Sequence, residues 1–370
     1  MTDAALLALQ QQVLWAALAL GLGFGAIAQR THFCTMGAVA DVVNIGDWTR
    51  LRMWALAIGV AMLGFNAMVA LGWVKAGNSL YAVPTLLWLS QAVGGLMFGF
   101  GMVLASGCGS KTLVRVGGGN LKSLVVFGAL GLSAWATLRG ITAVLRVNSV
   151  DRVQWVLSSG QDLPSLAARL GGTPGQRALV IGGLLGGALV VWALARRQGR
   201  SADVLLGGIG IGALVVGLWW VSGVLGHVAE HPQTLEEAFL GTPSQRMESF
   251  SFVAPLAYVL DGLVFFSDAS KRLTQGMVAV VGVVLGSAAV ALASRTFRWE
   301  GFRGVEDTAN HLVGAVLMGV GGITAVGCTI GQGLSGLSTL SLGSFVATAA
   351  IVAGAVLALH WQVWRVERSG

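Results

Sequence analysis

The chain has 370 residues, of which 55% are hydrophobic and 11% charged, with a formal net charge of +7. Soluble domains carry roughly 25% charged residues, and 23 Lys and Arg with 16 Asp and Glu could not cover a soluble fold of this size. A soluble enzyme, a disordered chain and a disulfide-stapled secreted domain are therefore excluded. Continuous rather than alternating apolar runs exclude an outer-membrane barrel. The expectation is an all-α integral membrane protein, in keeping with a mean hydropathy of +0.76.

In chain order, nine apolar runs are long enough for a hydrocarbon core of ~30 Å. They cover 7–28, 51–74, 84–106, 121–138, 177–195, 203–222, 272–294, 308–326 and 340–361. Arg30 is the first basic residue and follows the first run, so no cleavable signal is evident. Two apolar stretches, 32–47 and 249–267, are too short or interrupted to cross and read as half-helices. Two Gly-rich turns, 107–120 and 327–338, read as re-entrant loops. Such backbone survives at membrane depth only where protein or a cavity lines it. Residues 148–176 alternate apolar and polar positions and suggest a helix lying in the interface. Residues 227–248 form a polar loop carrying Glu230, Glu236, Glu237 and Glu248. No P-loop signature for nucleotide phosphates occurs, which excludes an ATPase within the chain.

The sequence repeats itself. At an offset of 220 residues, Gly94, Gly99, Gly101, Ala105, Gly107 and Cys108 match Gly314, Gly319, Gly321, Ala325, Gly327 and Cys328, and Asp41 matches Asp261. Glycine totals 55, about 15% of residues against a usual ~7%. Small residues let membrane helices approach closely, and broken helices use glycine at their ends. Four spans per half, with the span at 177–195 as connector, insert the second half upside down relative to the first. The expected divisions are a first repeat at 1–147, an interfacial segment and connector at 148–202, and a second repeat at 203–370. Nine spans put the termini on opposite sides. The larger share of Lys and Arg, led by Arg196, Arg197, Arg200, Arg295, Arg298 and Arg303, falls with the C-terminus, which the positive-inside rule makes cytoplasmic. Trp48, Trp54, Trp73, Trp88, Trp361 and Trp364 fall near span ends, as an interfacial belt requires.

All three cysteines, Cys34, Cys108 and Cys328, lie in the broken segments, far apart and without a CxxC. A single Cys in such a chain is more often a small buried hydrophobe. Three, none of them inside a full span, point instead to a pathway lined by thiols. An S–H group is a weak donor and a soft, polarizable contact that suits a sulfur-bearing anion. A half-helix N-terminus adds oriented N–H groups and positive potential. No metal-ligand spacing recurs around His32 or His311, so neither a metal nor a cofactor is expected. Asp41 and Asp261 are either proton-relay carboxylates, caps of a neighbouring half-helix, or partners of Arg50 and Arg272. Lys111 and Arg115 either attract an anion or mark the membrane surface. Gly117-Gly118-Gly119-Asn120 reads as an anion nest or a helix break. Gln332, Ser335, Ser338 and Thr339 could line a polar cavity, although Ser and Thr in membrane helices more often bond their own backbone.

These residues resemble the YeeE/YedE sulfur-transport family. The resemblance rests on Arg30-Thr31-His32-Phe33-Cys34 with Gly37-Ala38 and Asp41, on Gly107-Cys108-Gly109-Ser110-Lys111-Thr112-Leu113-Val114-Arg115 with Gly117-Gly118-Gly119-Asn120-Leu121, and on Gly327-Cys328-Thr329-Ile330-Gly331-Gln332-Gly333-Leu334-Ser335-Gly336 with Ser338-Thr339-Leu340. It covers both ends of the chain and little of the middle. It implies an hourglass-shaped bundle entered by loops from both faces, and thiosulfate uptake through a bacterial inner membrane. By motif the thiols that contact substrate sulfur map to Cys34, Cys108 and Cys328, flanked by Gly107, Gly327, Lys111 and Gln332. It also implies a small cytoplasmic TusA-like sulfur-carrier protein as partner, with membrane lipid around the bundle and no nucleic acid. Lys111 departs from the pattern, standing where a small residue is expected, which bears on ion selectivity.

The leading expectation is therefore non-enzymatic uptake of a sulfur-containing anion, handed between thiols by non-covalent contacts. Two rivals use the same features. A membrane thiol redox enzyme would make the cysteines nucleophiles that form a disulfide or persulfide during turnover. A docking scaffold for a sulfur-carrier protein would use the Arg-rich loops.

Overall fold

A computed structural model describes residues 3–268 and 272–369. Helix α1 spans Asp3–Thr31, α2 Thr35–Ile45, α3 Thr49–Ala70, α4 Trp88–Leu104, α5 Gly109–Gly117 and α6 Leu121–Arg139. A short helix, α7, spans Ile141–Asn148, and α8 covers Pro174–Leu194. The second half follows with α9 at Ala202–Leu225, α10 at Val253–Val264, α11 at Gln275–Ala293, α12 at Val305–Thr324, a wide helical turn at Gly331–Gly336 and α13 at Leu342–Ser369. The helix order thus matches between halves, with α8 as the connector.

Among the described residues, eight helical stretches are long and apolar enough to cross a bilayer. Two of them, Ala4–Ile45 and Trp88–Gly117, run from a full helix through a cysteine turn into a half-helix. The expected span at 308–326 forms α12, a 20-residue helix. Glu306 and Asp307 in its first turn lower its apolar character. Asp307 takes Lys122 Nζ at 2.8 Å, which ties that polar end to α6. Leu184, Val191, Leu285, Leu292 and Leu357 lie on the outside of their helices and are exposed. A soluble fold would bury such side chains, whereas lipid accepts them.

The helices pack in an exchanged pattern. Helix α1 lies on α11 as α9 lies on α3, α4 lies on α13 as α12 lies on α6, and α10 meets α6 as α2 meets α13. The pair that relates the halves is α4 with α12. A Cβ added at Gly94 would lie 2.6 Å from the Gly321 carbonyl oxygen, and one at Gly101 would lie 2.7 Å from that of Gly314. Gly94 and Gly101 are themselves the 220-residue counterparts of Gly314 and Gly321, so each contact is the image of the other. Equivalent helices that cross antiparallel in this way have their twofold relation perpendicular to their axes. For helices that span a bilayer, such an axis lies in the membrane plane, which inverts one half relative to the other. Only glycine permits the approach, because any side chain would enter the opposing backbone.

The interface stretch differs from expectation. Residues 148–176 form no single helix. Trp155–Val156 pairs antiparallel with Thr85–Leu86, and a one-turn helix covers Leu163–Leu166. Gly160, Gly171 and Gly172 adopt positive φ and break the run. The exposed apolar helix is instead the one before it, α7, with Ile141, Val144 and Leu145 outermost.

Candidate functional site

Three sharp reversals build the site, and all use the same local geometry. His32 has φ 53°, Ser106 φ 55° and Val326 φ 59°, each two residues before a cysteine. A left-handed residue ends the preceding helix, and the chain then turns so that the cysteine heads the next helical segment. Cys34 caps α2, its sulfur accepting the Gly37 N–H at 3.3 Å. Cys108 caps α5, and its thiol lies 3.2 Å from Ser110 Oγ. Cys328 heads the Gly331–Gly336 turn and accepts the Gly331 N–H at 3.4 Å. Val326 is the costly case, since a β-branched residue in this region stores about 1–2 kcal/mol.

All three thiols are buried and free. Cys34 and Cys108 share a hydrogen bond. Cys108 lies within electrostatic reach of Cys328. The backbone N–H of Phe252, at the head of α10, points at the Cys328 sulfur. Four helical N-termini therefore converge on one line of sulfur atoms. Their dipoles favour negative charge there. The fourth terminus, α10, carries no thiol. In its place Phe250 and Phe252 pack on Phe24, with ring centroids 5.0 Å and 5.3 Å away.

The structure also gives the other expected site residues their places. Lys111 lies within electrostatic reach of both Cys34 and Cys108, with Arg50 and Arg115 near it. Its stem lies over Gly107 as the stem of Gln332 lies over Gly327. A Cβ added at either glycine would meet that stem at 3.0 Å. Gln332 uses both ends of its amide inside the fold, donating to the Ala325 carbonyl at 2.6 Å and accepting from Ser344 Oγ at 2.6 Å. It braces the turn. Arg115 donates to the Ser106 carbonyl at 2.9 Å and braces the first turn in the same way. Ser335, Ser338 and Thr339 donate to backbone carbonyls. The triple glycine is a helix break, closed by Asn120 Oδ1, which accepts the Ser123 N–H at 2.8 Å.

The two aspartates part company. Asp41 pairs with Arg50 Nε at 3.2 Å, and Asp261 accepts from Trp135 Nε1 at 3.0 Å. In the turn between α2 and α3, the N–H and hydroxyl of Thr49 hold the Asp47 carboxyl below its usual range. Among the described residues no group of three or more His, Cys, Asp or Glu could hold a metal ion.

Several residues escape a reading of the sequence. Thr35 and Thr329, each directly after a cysteine, are buried; the Thr35 hydroxyl meets no protein group, and that of Thr329 is directed at Cys108. A buried hydroxyl left unpaired costs free energy unless a ligand or water meets it. The dipeptide Cys-Thr, present twice, was the available signal. On the side of Val326 and Gly327, a cavity of about 190 Å³ is lined by Tyr81, Glu248, Ser251 and Tyr258. The Tyr81 hydroxyl bonds Ser251. No spacing rule joins residues so distant in the chain.

The sulphur transport family profile matches residues 30–357. The thiosulfate transporter TsuA of Spirochaeta thermophila is 26% identical over 362 residues, 92% of this chain and 97% of that protein. The thiosulfate transporter TsuA of Escherichia coli is 27% identical over 351 residues, 93% of each chain. The probable transporter YedE of Escherichia coli is 31% identical over 114 residues, 30% of this chain and 26% of that protein.

Proposed function

This chain belongs to the sulphur transport family, and from that premise we propose that it takes up thiosulfate across a bacterial inner membrane. The observation that carries the reading is the line of buried thiols at converging helical N-termini. Thiosulfate has a soft terminal sulfur and a hard sulfonate end. The thiols suit the first. The positive N-terminal ends of the half-helices and the free hydroxyl of Thr35 suit the second. Several weak contacts in series allow both entry and release, as conduction needs. The ion passes from thiol to thiol without forming a bond, so the chain acts as a carrier and not as an enzyme.

On this reading Cys34, Cys108 and Cys328 contact the substrate, with Gly107 and Gly327 admitting it, Lys111 countering its charge and Gln332 holding the second turn. We take the chain as a first repeat at 1–147, a connecting region at 148–202 and a second repeat at 203–370. With the C-terminus in the cytoplasm, the Tyr81–Glu248 cavity opens outward. His32, Arg50 and Lys111 then form the inner mouth. A TusA-like sulfur carrier at that mouth would consume the incoming sulfur.

The test is uptake of radiolabelled thiosulfate into proteoliposomes, with growth rescue of a sulfur-uptake-deficient strain on a panel of sulfur sources. Saturable uptake that sulfate does not displace is expected. Liposomes that accumulate none would reject the reading.

A further inference from the structure

The outer cavity holds a feature that thiosulfate uptake leaves unexplained: an anion on its way to Cys328 passes a carboxylate. Glu248 lines the same cavity as Val326 and Gly327, the residues that turn the chain into Cys328. Its Oε1 accepts the Ser244 N–H at 3.3 Å. The groups facing it are tyrosines from two elements, Tyr81 ahead of α4 and Tyr258 on α10. Arg146, from α7, lines the cavity too but is paired with Asp151 at 3.5 Å. Behind Tyr258 stand Asp261 and Arg139. Beside Tyr81 stands Cys328. Arg246, two residues before Glu248, points away to the Gly77 carbonyl. Nothing in the cavity neutralises Glu248 by pairing with it among the described residues.

A second observation marks the same spot. Gln275 lines the cavity, is 1% exposed, and donates from Nε2 to the Glu248 carbonyl at 3.1 Å. Its Oε1 is buried and meets no donor. An unsatisfied acceptor in a cavity that also holds a carboxylate calls for a proton on one of the cavity's groups or for a donor brought in with a ligand. Two negative charges sharing so small a space disfavour each other, and the carboxylate relieves this by taking a proton.

We infer that Glu248 is the proton-binding site of this transporter, and that each anion entering the cavity enters together with one proton. The inference rests on the transport reading above and names its coupling ion. Burial already pushes the Glu248 carboxyl above its usual value, which favours the protonated form in the empty cavity. The sign follows from linkage. The bound anion raises the carboxyl's proton affinity further, so binding takes up a proton, and protons promote anion binding by the same factor. Affinity for thiosulfate is then flat at acidic pH. It falls by about tenfold per unit as the pH rises between the carboxyl's free and anion-bound pKa values. Asp41 and Asp261 do not fill this role, since each already serves a partner away from the cavity.

Calorimetry of the full-length protein with thiosulfate, in buffers of different ionisation enthalpy, reads the proton directly. Uptake of one proton per anion is expected in the sloping range. In Glu248→Gln both the proton uptake and the slope vanish, and the variant binds more tightly than wild type at alkaline pH. In proteoliposomes loaded with a pH dye, adding external thiosulfate acidifies the lumen of wild type. Wild-type binding without proton uptake, or an unchanged slope in E248Q, overturns the inference. The wild-type measurements stand even if the variant fails to fold. Labelled thiosulfate uptake that is saturable but indifferent to pH defeats only the coupling. No uptake at any pH defeats the transport reading itself.

Discussion

The two cysteine turns at the centre of the molecule share a backbone and differ in chemistry. Ser106-Gly107-Cys108 and Val326-Gly327-Cys328 make the same left-handed step into a helical N-terminus. The first faces Cys34, Lys111, Arg50 and Arg115, so its surroundings are sulfur and positive charge. The second faces Tyr81, Ser251 and Glu248, so its surroundings are hydroxyl and carboxyl. One frame thus carries a carboxylate beside one cysteine turn and cationic groups beside the other. Repetition sets where the chain turns. The residues that diverged between the repeats set the charge that surrounds each turn.

Removing a thiol tests whether the two turns act in one series. Cys108→Ala and Cys328→Ala should each lower thiosulfate uptake about 10–100-fold, the worth of a hydrogen bond to a charged group. Uptake is measured in cells with equal amounts of inserted protein. A large loss for one and none for the other would separate the turns into different pathways. The charge difference comes next. Lys111→Gln makes the first turn resemble the second and should reduce uptake several-fold. The dependence of uptake on ionic strength should become shallower, because an exposed mouth attracts anions through screened charge. Thr35→Val removes a hydroxyl that no protein group uses. It should weaken thiosulfate binding by a factor of about 10, the lower end for a hydrogen bond to a charged group, and leave stability intact. Thr35→Ser should restore binding, whereas a structural role would show first as a lower melting temperature. The smallest effect concerns the backbone. Val326→Gly should stabilise the protein by up to about 1 kcal/mol, because glycine adopts φ 59° without strain. Ser106→Gly should gain less, since serine lacks the branched Cβ.

How much of this the sequence discloses depends on the range of the interaction. Apolar runs, Gly-Cys turns and the 220-residue echo are local or periodic. They disclose the spans, the half-helices and the three thiols. The Asp41–Arg50 pair is legible too, because nine residues on a tight turn bring them together. The cavity of Tyr81, Glu248 and Tyr258 is not, since its parts come from three separate stretches with no shared pattern. Gln332 could be found but not understood. Its amide reads as a ligand until its bonds to Ala325 and Ser344 are seen. The stretch 148–176 misleads for a related reason. Alternating apolar residues served a two-stranded ribbon and loops, and its glycines outweighed the pattern.

The glycine knuckle between α4 and α12 constrains how the protein can move. Two backbones in mutual contact at Gly94–Gly321 and Gly101–Gly314 leave no slack for the halves to rock apart about that crossing. Any breathing that lets cargo through must then be confined to the short helices and their caps, a matter of rotamers and hinges at the cysteine turns. Such a device resembles a turnstile more than a pair of swinging doors, and its turnover should vary little with the stiffness of the surrounding bilayer.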